Sequence, residues 1–148
     1  MKRYFPFVLL ISLIYSCTIS PPRFTEIIIN GEDVIQRSGS HAVGDTLNIQ
    51  IEARDYAGGI RLLSILDKIK GQNLVTVLAN QTYPNTNRIS VEFQLIIQED
   101  SVKVIDGDPL IQGLNYSVKP GDQFNLIFFV EDANYHYEES VYSFEVTP

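Results

Sequence analysis

The sequence contains no tryptophan, one cysteine, one methionine and two histidines in 148 residues. A lone cysteine, Cys17, excludes an intrachain disulfide, so the core must hold the fold unaided. Neither His41 nor His136 sits in a recognisable motif. No Gly-x-Ser-x-Gly elbow, His-Glu-x-x-His helix or phosphate-binding glycine loop occurs, and the carboxylates are scattered over turns, so the expectation is a protein that is not an enzyme. Basic residues are also scarce, at 11 Lys+Arg against 18 Asp+Glu, a formal charge of −7. That balance argues against nucleic acid as a partner, which demands a basic surface. It equally disfavours adsorption to anionic lipid by charge alone.

What is present is a strand-forming composition. Tyr and Phe number eight each within 45% hydrophobic and 20% charged residues, the profile of a globular chain in which aromatic and β-branched residues favour strands. The length suits one domain. The N-terminus has a different character. Met1-Lys2-Arg3 is a short basic segment, and residues 4–15 are apolar apart from Ser12 and Pro6. A charged start, an apolar stretch and a small residue before a cut describe a secretory signal peptide. The stretch is shorter than the ~20 residues that cross a bilayer comfortably.

At its end, Ile14-Tyr15-Ser16-Cys17 resembles a bacterial lipoprotein signal, with an aliphatic residue three before the cut, a small residue before it and Cys at the new N-terminus. Tyr15 departs from the usual small residue, a looseness that resembles signals of the Bacteroidetes kind. The resemblance implies cleavage before Cys17, a thioether-linked diacylglyceryl group on its sulfur and acylation (palmitate) of its amine, which together give stable anchoring. The expected organisation is a lipoprotein signal peptide over 1–16, a lipidated Cys17 with a short tether over 17–23, and a folded domain over 24–148. Removal of residues 1–16 takes Lys2 and Arg3 with it and leaves nine basic against 18 acidic side chains. The lipid would then do the holding.

The centre of the chain repeats itself. Residues 44–55, GDTLNIQIEARD, are matched without a gap by residues 121–132, GDQFNLIFFVED. In the first copy Leu47, Ile49, Ile51 and Ala53 alternate with polar residues, a strand with one buried face. The second copy has Ile127 and Phe129 where the first has Gln50 and Glu52, so its outer face is partly apolar, either covered by the 98–122 connection or left as a docking patch. The two strands are expected to be central and to face each other across the core. Further strands are read at 24–30, ending in an Asn30-Gly31 turn, with a minor continuation at 33–36. Others lie at 60–69, 74–79, 89–97 and 141–146, with an edge strand over 102–105. The 60–69 stretch has the length of a helix, but its flanking turns favour a strand. Residues 38–40, 70–73 and 80–87 read as loops or turns, and 108–113 as a single helical turn with an Asp cap, Pro first and Gly after.

About seven strands with turns every 8–12 residues give an all-β pattern like an immunoglobulin-like or fibronectin III-like antiparallel β-sandwich. Gly44-Asp45, then the alternating strand, then Ala53-Arg54-Asp55-Tyr56-Ala57-Gly58-Gly59-Ile60, resembles the signature of bacterial Ig-like and cadherin-like domains. With the Cys17 signal, the chain resembles small lipoproteins of one such domain. The resemblance implies a bacterial cell-envelope protein, periplasmic or surface-facing, acting as a binding or structural module. Its partners would be the membrane, through lipid on Cys17, and an envelope protein or glycan. Loops 55–59, 80–87 and 133–140 are expected at one end. Their Tyr56, Tyr83, Tyr135, His136 and Tyr137, among small polar residues, have a binding-like composition. No cofactor is expected. Calcium at Asp55 and Asp132 is the metal alternative, giving a calcium-stabilised adhesin-type domain, and a small hydrolase is the enzymatic one. Replacing Cys17 by Ser should release the protein from membranes in a fractionation experiment; continued retention would exclude lipid as the anchor.

Overall fold

In the repeated segments, alternation alone dictates which face is buried. Leu47, Ile49, Ile51 and Ala53, and Phe124, Leu126, Phe128 and Val130, are all buried, because successive side chains of a strand point to opposite faces. The computed structural model describes residues 20–35, 37–69, 76–99, 101–107, 114–115 and 119–148. Among these are eleven strands: β1 (Arg23–Ile29), β2 (Glu32–Asp33), β3 (Ser38–Ala42), β4 (Thr46–Arg54), β5 (Ile60–Ile69), β6 (Thr76–Thr86), β7 (Arg88–Gln98), β8 (Ser101–Gly107), β9 (Leu114–Asn115), β10 (Gln123–Asp132) and β11 (Tyr137–Thr147). The described residues contain no helix. The count exceeds the seven strands expected. Two of the additions, β2 and β9, are only two residues long.

The strands form two sheets, one ordered β2-β1-β4-β7-β8-β9 and the other β3-β11-β10-β5-β6. Every strand pair is antiparallel except β11 with β3, which is parallel. The result is an all-β, sandwich-like architecture. The twin strands β4 and β10 are both internal, one in each sheet, and their buried faces belong to a single apolar cluster with Ile27, Ile65, Phe93, Leu95 and Phe144. Burying a Leu or Phe side chain of this kind contributes roughly 1.5–3 kcal/mol. The short hairpin β1–β2 turns on Asn30 (φ 51) and Gly31 (φ 84), the left-handed pair that an Asn-Gly turn supplies.

The repetition extends to the turns. Gly44 and Gly121 both have positive φ, 99° and 94°, which only glycine adopts freely. Each donates its N–H at 2.7 Å to the carbonyl of a neighbouring strand's last inward residue, Ile97 and Val146. Asp45 and Asp122 then close the same turn, accepting the N–H of Ala42 and of Lys119, both at 2.8 Å.

Three stretches expected as loops are strand in whole or in part; of the 133–140 loop, Tyr137–Ser140 belong to β11. Ser38-Gly39-Ser40 belongs to β3, paired with Ser143, Phe144 and Glu145. It lacks an apolar face because an edge strand is held chiefly by main-chain bonds. Gly39 is there for space, since a Cβ would fall 2.1 Å from the Tyr142 hydroxyl, itself bonded to His41 Nε2 at 2.9 Å. The polar 80–87 stretch runs as strand through Thr86 in β6, the edge neighbour of β5. Register irregularities within the β5–β6 pairing erase the alternation that would have betrayed it. The 60–69 stretch is β5, as its flanking turns implied. Cys17 and the signal region, the 70–73 turn and the 108–113 helical turn lie outside the described residues.

The outward faces differ. On the first sheet, Gln50–Glu92 and Gln94–Asn48 bonds form a polar ladder. On the second, Val77, Leu66, Ile127 and Val141 stand in one cross-strand row, and Phe129 stacks on Tyr137 at 5.1 Å. Ile127 and Phe129 are half-buried, flanked by these neighbours in their own sheet.

One acid is out of place in the core. Asp67 on β5 is buried, and its Oδ2 has no hydrogen-bond partner. Burial pushes its carboxyl up to about 7. The unfolded group titrates near 3.9, so the folded state favours the protonated acid, and Asp67 costs stability as pH rises from about 4 to above 7. Asp67→Asn should therefore gain stability over the native chain by an amount that grows through that window, on the order of 2–4 kcal/mol at pH 8. Urea unfolding at pH 5 and pH 8 checks it; a gap that does not widen would refute the placement.

Candidate functional site

β4 and β10 each end in an aspartate that turns back on its own chain. Asp55 accepts the N–H of Ala57 at 2.9 Å and of Gly58 at 3.0 Å. Asp132 Oδ1 accepts the N–H groups of Asn134 and His136, both at 2.8 Å, and Oδ2 meets His136 Nδ1 at 2.9 Å. Short acidic side chains suit this task because they reach main-chain N–H groups two to four residues ahead. Both carboxylates are buried. Burial pushes Asp132 upward, but hydrogen bonds from the His136 side chain and main chain and the Asn134 main chain outweigh it and hold it below its ordinary range.

The two turns meet. The position of a Cβ on Gly58 would lie 2.7 Å from Asn134 Nδ2 and 2.9 Å from Asp132 Oδ2, and Ala133 N–H donates to Gly59 O at 3.0 Å. Asp55 and Asp132 thus close one pole of the molecule together, as the repeat implied. Register adds the other components. Arg23 pairs with Arg54, so the chain enters the fold at this pole, and Ile60 pairs with both Thr86 and Asp132.

The side chains displayed there are aromatic. Tyr56 is 79% exposed, Tyr135 69% and Tyr137 59%. Tyr135 has φ 67°, a left-handed conformation that a bulky residue occupies at a cost of about 1–3 kcal/mol. That strain is not offset by burial of the ring. Instead the Arg61 guanidinium lies 4.5 Å from the ring centroid, and Arg61 is itself bonded to Glu131. Tyr135 takes the left-handed position of the β10–β11 hairpin turn, its N–H donating to Asp132 O at 3.2 Å and the Asp132 N–H to His136 O at 2.9 Å, and the turn carries the ring outward with a cation against it.

Tyr56, Tyr135 and His136 lie in the two turns of this pole, whereas Tyr137, expected in the 133–140 loop, opens strand β11 and stacks on Phe129. Tyr83 is not in a loop. It lies on β6, half-buried against the core, with its hydroxyl 3.0 Å from Gln81 Oε1. His136 is oriented by Asp132 in the manner of a general base, yet no hydroxyl is bonded to its other ring nitrogen among the described residues. Each oxygen of Asp55 and Asp132, the alternative calcium ligands, already faces an N–H group. Among the described residues no three His, Cys, Asp or Glu side chains are grouped to hold a metal ion. Sequence reasoning missed Arg61 and the arginines nearby. Their convergence depends on strand register, and no local pattern encodes it.

Against known proteins, the chain matches no family model, no curated protein and no solved structure. The class of protein is accordingly the one the fold defines: an all-β protein of two sheets closed at one pole by paired aspartate turns.

Asp132→Ala should cost about 2–4 kcal/mol, because the N–H groups of Asn134 and His136 and the His136 ring lose their acceptor. Wild-type stability from Asp132 should be present at neutral pH and disappear as pH falls below about 4, the window of a lowered carboxyl. Chemical unfolding at pH 7 and pH 3 measures both effects, and an unchanged midpoint at pH 7 would contradict the capping role.

Proposed function

We propose that this protein is a lipid-anchored binding module of the cell envelope, an immunoglobulin-like sandwich held through Cys17, whose recognition surface is the pole bearing Tyr56, Tyr135, His136 and Tyr137. The observation that carries the reading is Tyr135, a bulky residue at φ 67° whose ring is displayed to solvent. Strained residues cluster at sites that bind ligands, and here a hairpin turn holds a bulky aromatic where glycine or asparagine is the usual choice. The surrounding composition agrees, since tyrosines give large contact area at small entropic cost.

Position narrows the partner. The first described residues lead into Arg23, which pairs with Arg54 beside the displayed turn. From Cys17 to Arg23 is six residues, a reach of ~20 Å at most. A domain tethered there turns its tyrosine pole toward the bilayer, so the partner sits at the membrane and not at a distance from it.

Tyrosine-selective labelling of native membranes tests the assignment. Tyr56, Tyr135 and Tyr137 should be modified severalfold less in membranes than in the purified protein, while an exposed tyrosine introduced on the opposite pole, by Lys119→Tyr, is modified equally in both. Equal labelling of the pole in both settings would sink the proposal.

A further inference from the structure

Four arginines converge on this same pole. Arg23 stands opposite Arg54 across β1 and β4, and Arg54 opposite Arg88 across β4 and β7. The adjacent Phe24, Ala53 and Ile89 are buried, so alternation puts all three arginines on the outward face of the first sheet, in one row. Arg61, against Tyr135, is the fourth. They are four of the nine basic residues that follow residue 16, in a chain whose overall charge is negative.

Like charges directly opposite one another across strands are destabilising, and the core does not require this row. It is only partly neutralised. Arg88 is bonded to both carboxylate oxygens of Glu52 at 2.7 Å, and Arg61 to Glu131. No ion pair within the described residues engages Arg23 or Arg54, and Arg54 Nε is buried without a hydrogen-bond partner. Acids stand beside the row as well, Glu52 against Arg88 and Glu138 near Arg23. Glu26 and Glu52 occupy the next outward row, about 7 Å further up the sheet. Asp55 and Asp132 are buried in their turns. Glu138 accepts the Phe24 N–H at 3.2 Å and feels the charge of Arg23, although burial outweighs both and raises its carboxyl.

We propose that this pole docks on the phosphate-bearing headgroup layer of a membrane, with Arg23, Arg54 and Arg88 against phosphates and Tyr56 and Tyr135 among the headgroups. The inference deepens the binding-module reading and rests on its tether at Cys17, which delivers this pole to the surface. The chemistry matches at each point. Guanidinium groups present paired donors to phosphate oxygens, and tyrosine favours the boundary between apolar and wet surroundings. The net negative charge of the chain does not oppose docking, because screening over ~8 Å lets the surface sense the nearest rim and not the whole molecule. Each arginine near an anionic surface favours it about fivefold.

The absence of tryptophan provides the test. Tyr56→Trp gives the full-length chain a single indole at the pole. The protein is mixed with phosphatidylcholine vesicles, with and without phosphatidylglycerol, and both sedimentation and indole emission are read. The expected result is a blue-shifted indole only where phosphatidylglycerol is present. The shift should be reversed by about 0.5 M salt, which cuts the screening length to roughly 4 Å, and lost in Arg23→Gln/Arg54→Gln/Arg88→Gln. Salt reversal needs no substitution, so it stands even if the triple variant folds poorly. A chain that sediments with anionic vesicles while its indole stays in water overturns the docking proposal and leaves the anchor intact. So does a shift indifferent to charge and salt. A chain that sediments only with phosphatidylglycerol, indole shifted, retains docking and refutes the apolar anchor. One left in solution by both vesicles refutes both.

Discussion

The pole is held by two buried carboxylates. Asp55 follows β4 and Asp132 ends β10, the twin strands of the two sheets, and each accepts main-chain N–H groups where the chain leaves its sheet. Buried polar groups without partners are costly, so these turns have little freedom to rearrange. Their rigidity is inherited by everything mounted on them: the approach of Gly58 to Asn134, the left-handed Tyr135 and the cation at its ring. A displayed side chain is useful for recognition only if its backbone does not relax. The aspartates supply that condition.

The same economy of means appears at the opposite ends of the twin strands. Gly44-Asp45 and Gly121-Asp122 make the same turn with the same hydrogen bonds. One short pattern therefore starts and finishes the central strand of each sheet. Both copies keep apolar residues inward, and they part in polarity on their outward faces. β4 carries Asn48, Gln50 and Glu52 in a polar ladder, whereas β10 carries Ile127 and Phe129 in a half-buried apolar row.

Much of the fold was legible in the sequence. The bounds of β4 follow from alternation, and β7 and β10 nearly as closely, because a half-buried strand imposes a period of two on its residues; those of β5 follow from the turns beside it. Where no face is buried the signal vanishes. Ser38-Gly39-Ser40 and the 80–86 stretch read as loops because an edge strand is held largely by main-chain bonds, to which side-chain patterns are blind. Tyr83 was misplaced for that reason: its half-burial against the core depends on a β6 that polar composition concealed. The clustering of Tyr56 with Tyr135 and His136 was legible, since matching strand directions bring their turns to one end.

By itself, then, the sequence determined the all-β class, the repeated strand with its buried face, the glycine and aspartate turns at its ends and the pole where the tyrosines gather. Each is a local consequence of side-chain period or turn chemistry. Only the tertiary structure decided that Arg23, Arg54 and Arg88 form one row and that Arg61 meets Tyr135. Those residues lie on four different strands, and the register that aligns them is set by the packing of the whole core. Net charge, summed over the chain, suggested a surface hostile to anionic lipid. Register instead sets three arginines in one row at a single pole, a local feature that a sum over the chain does not contain.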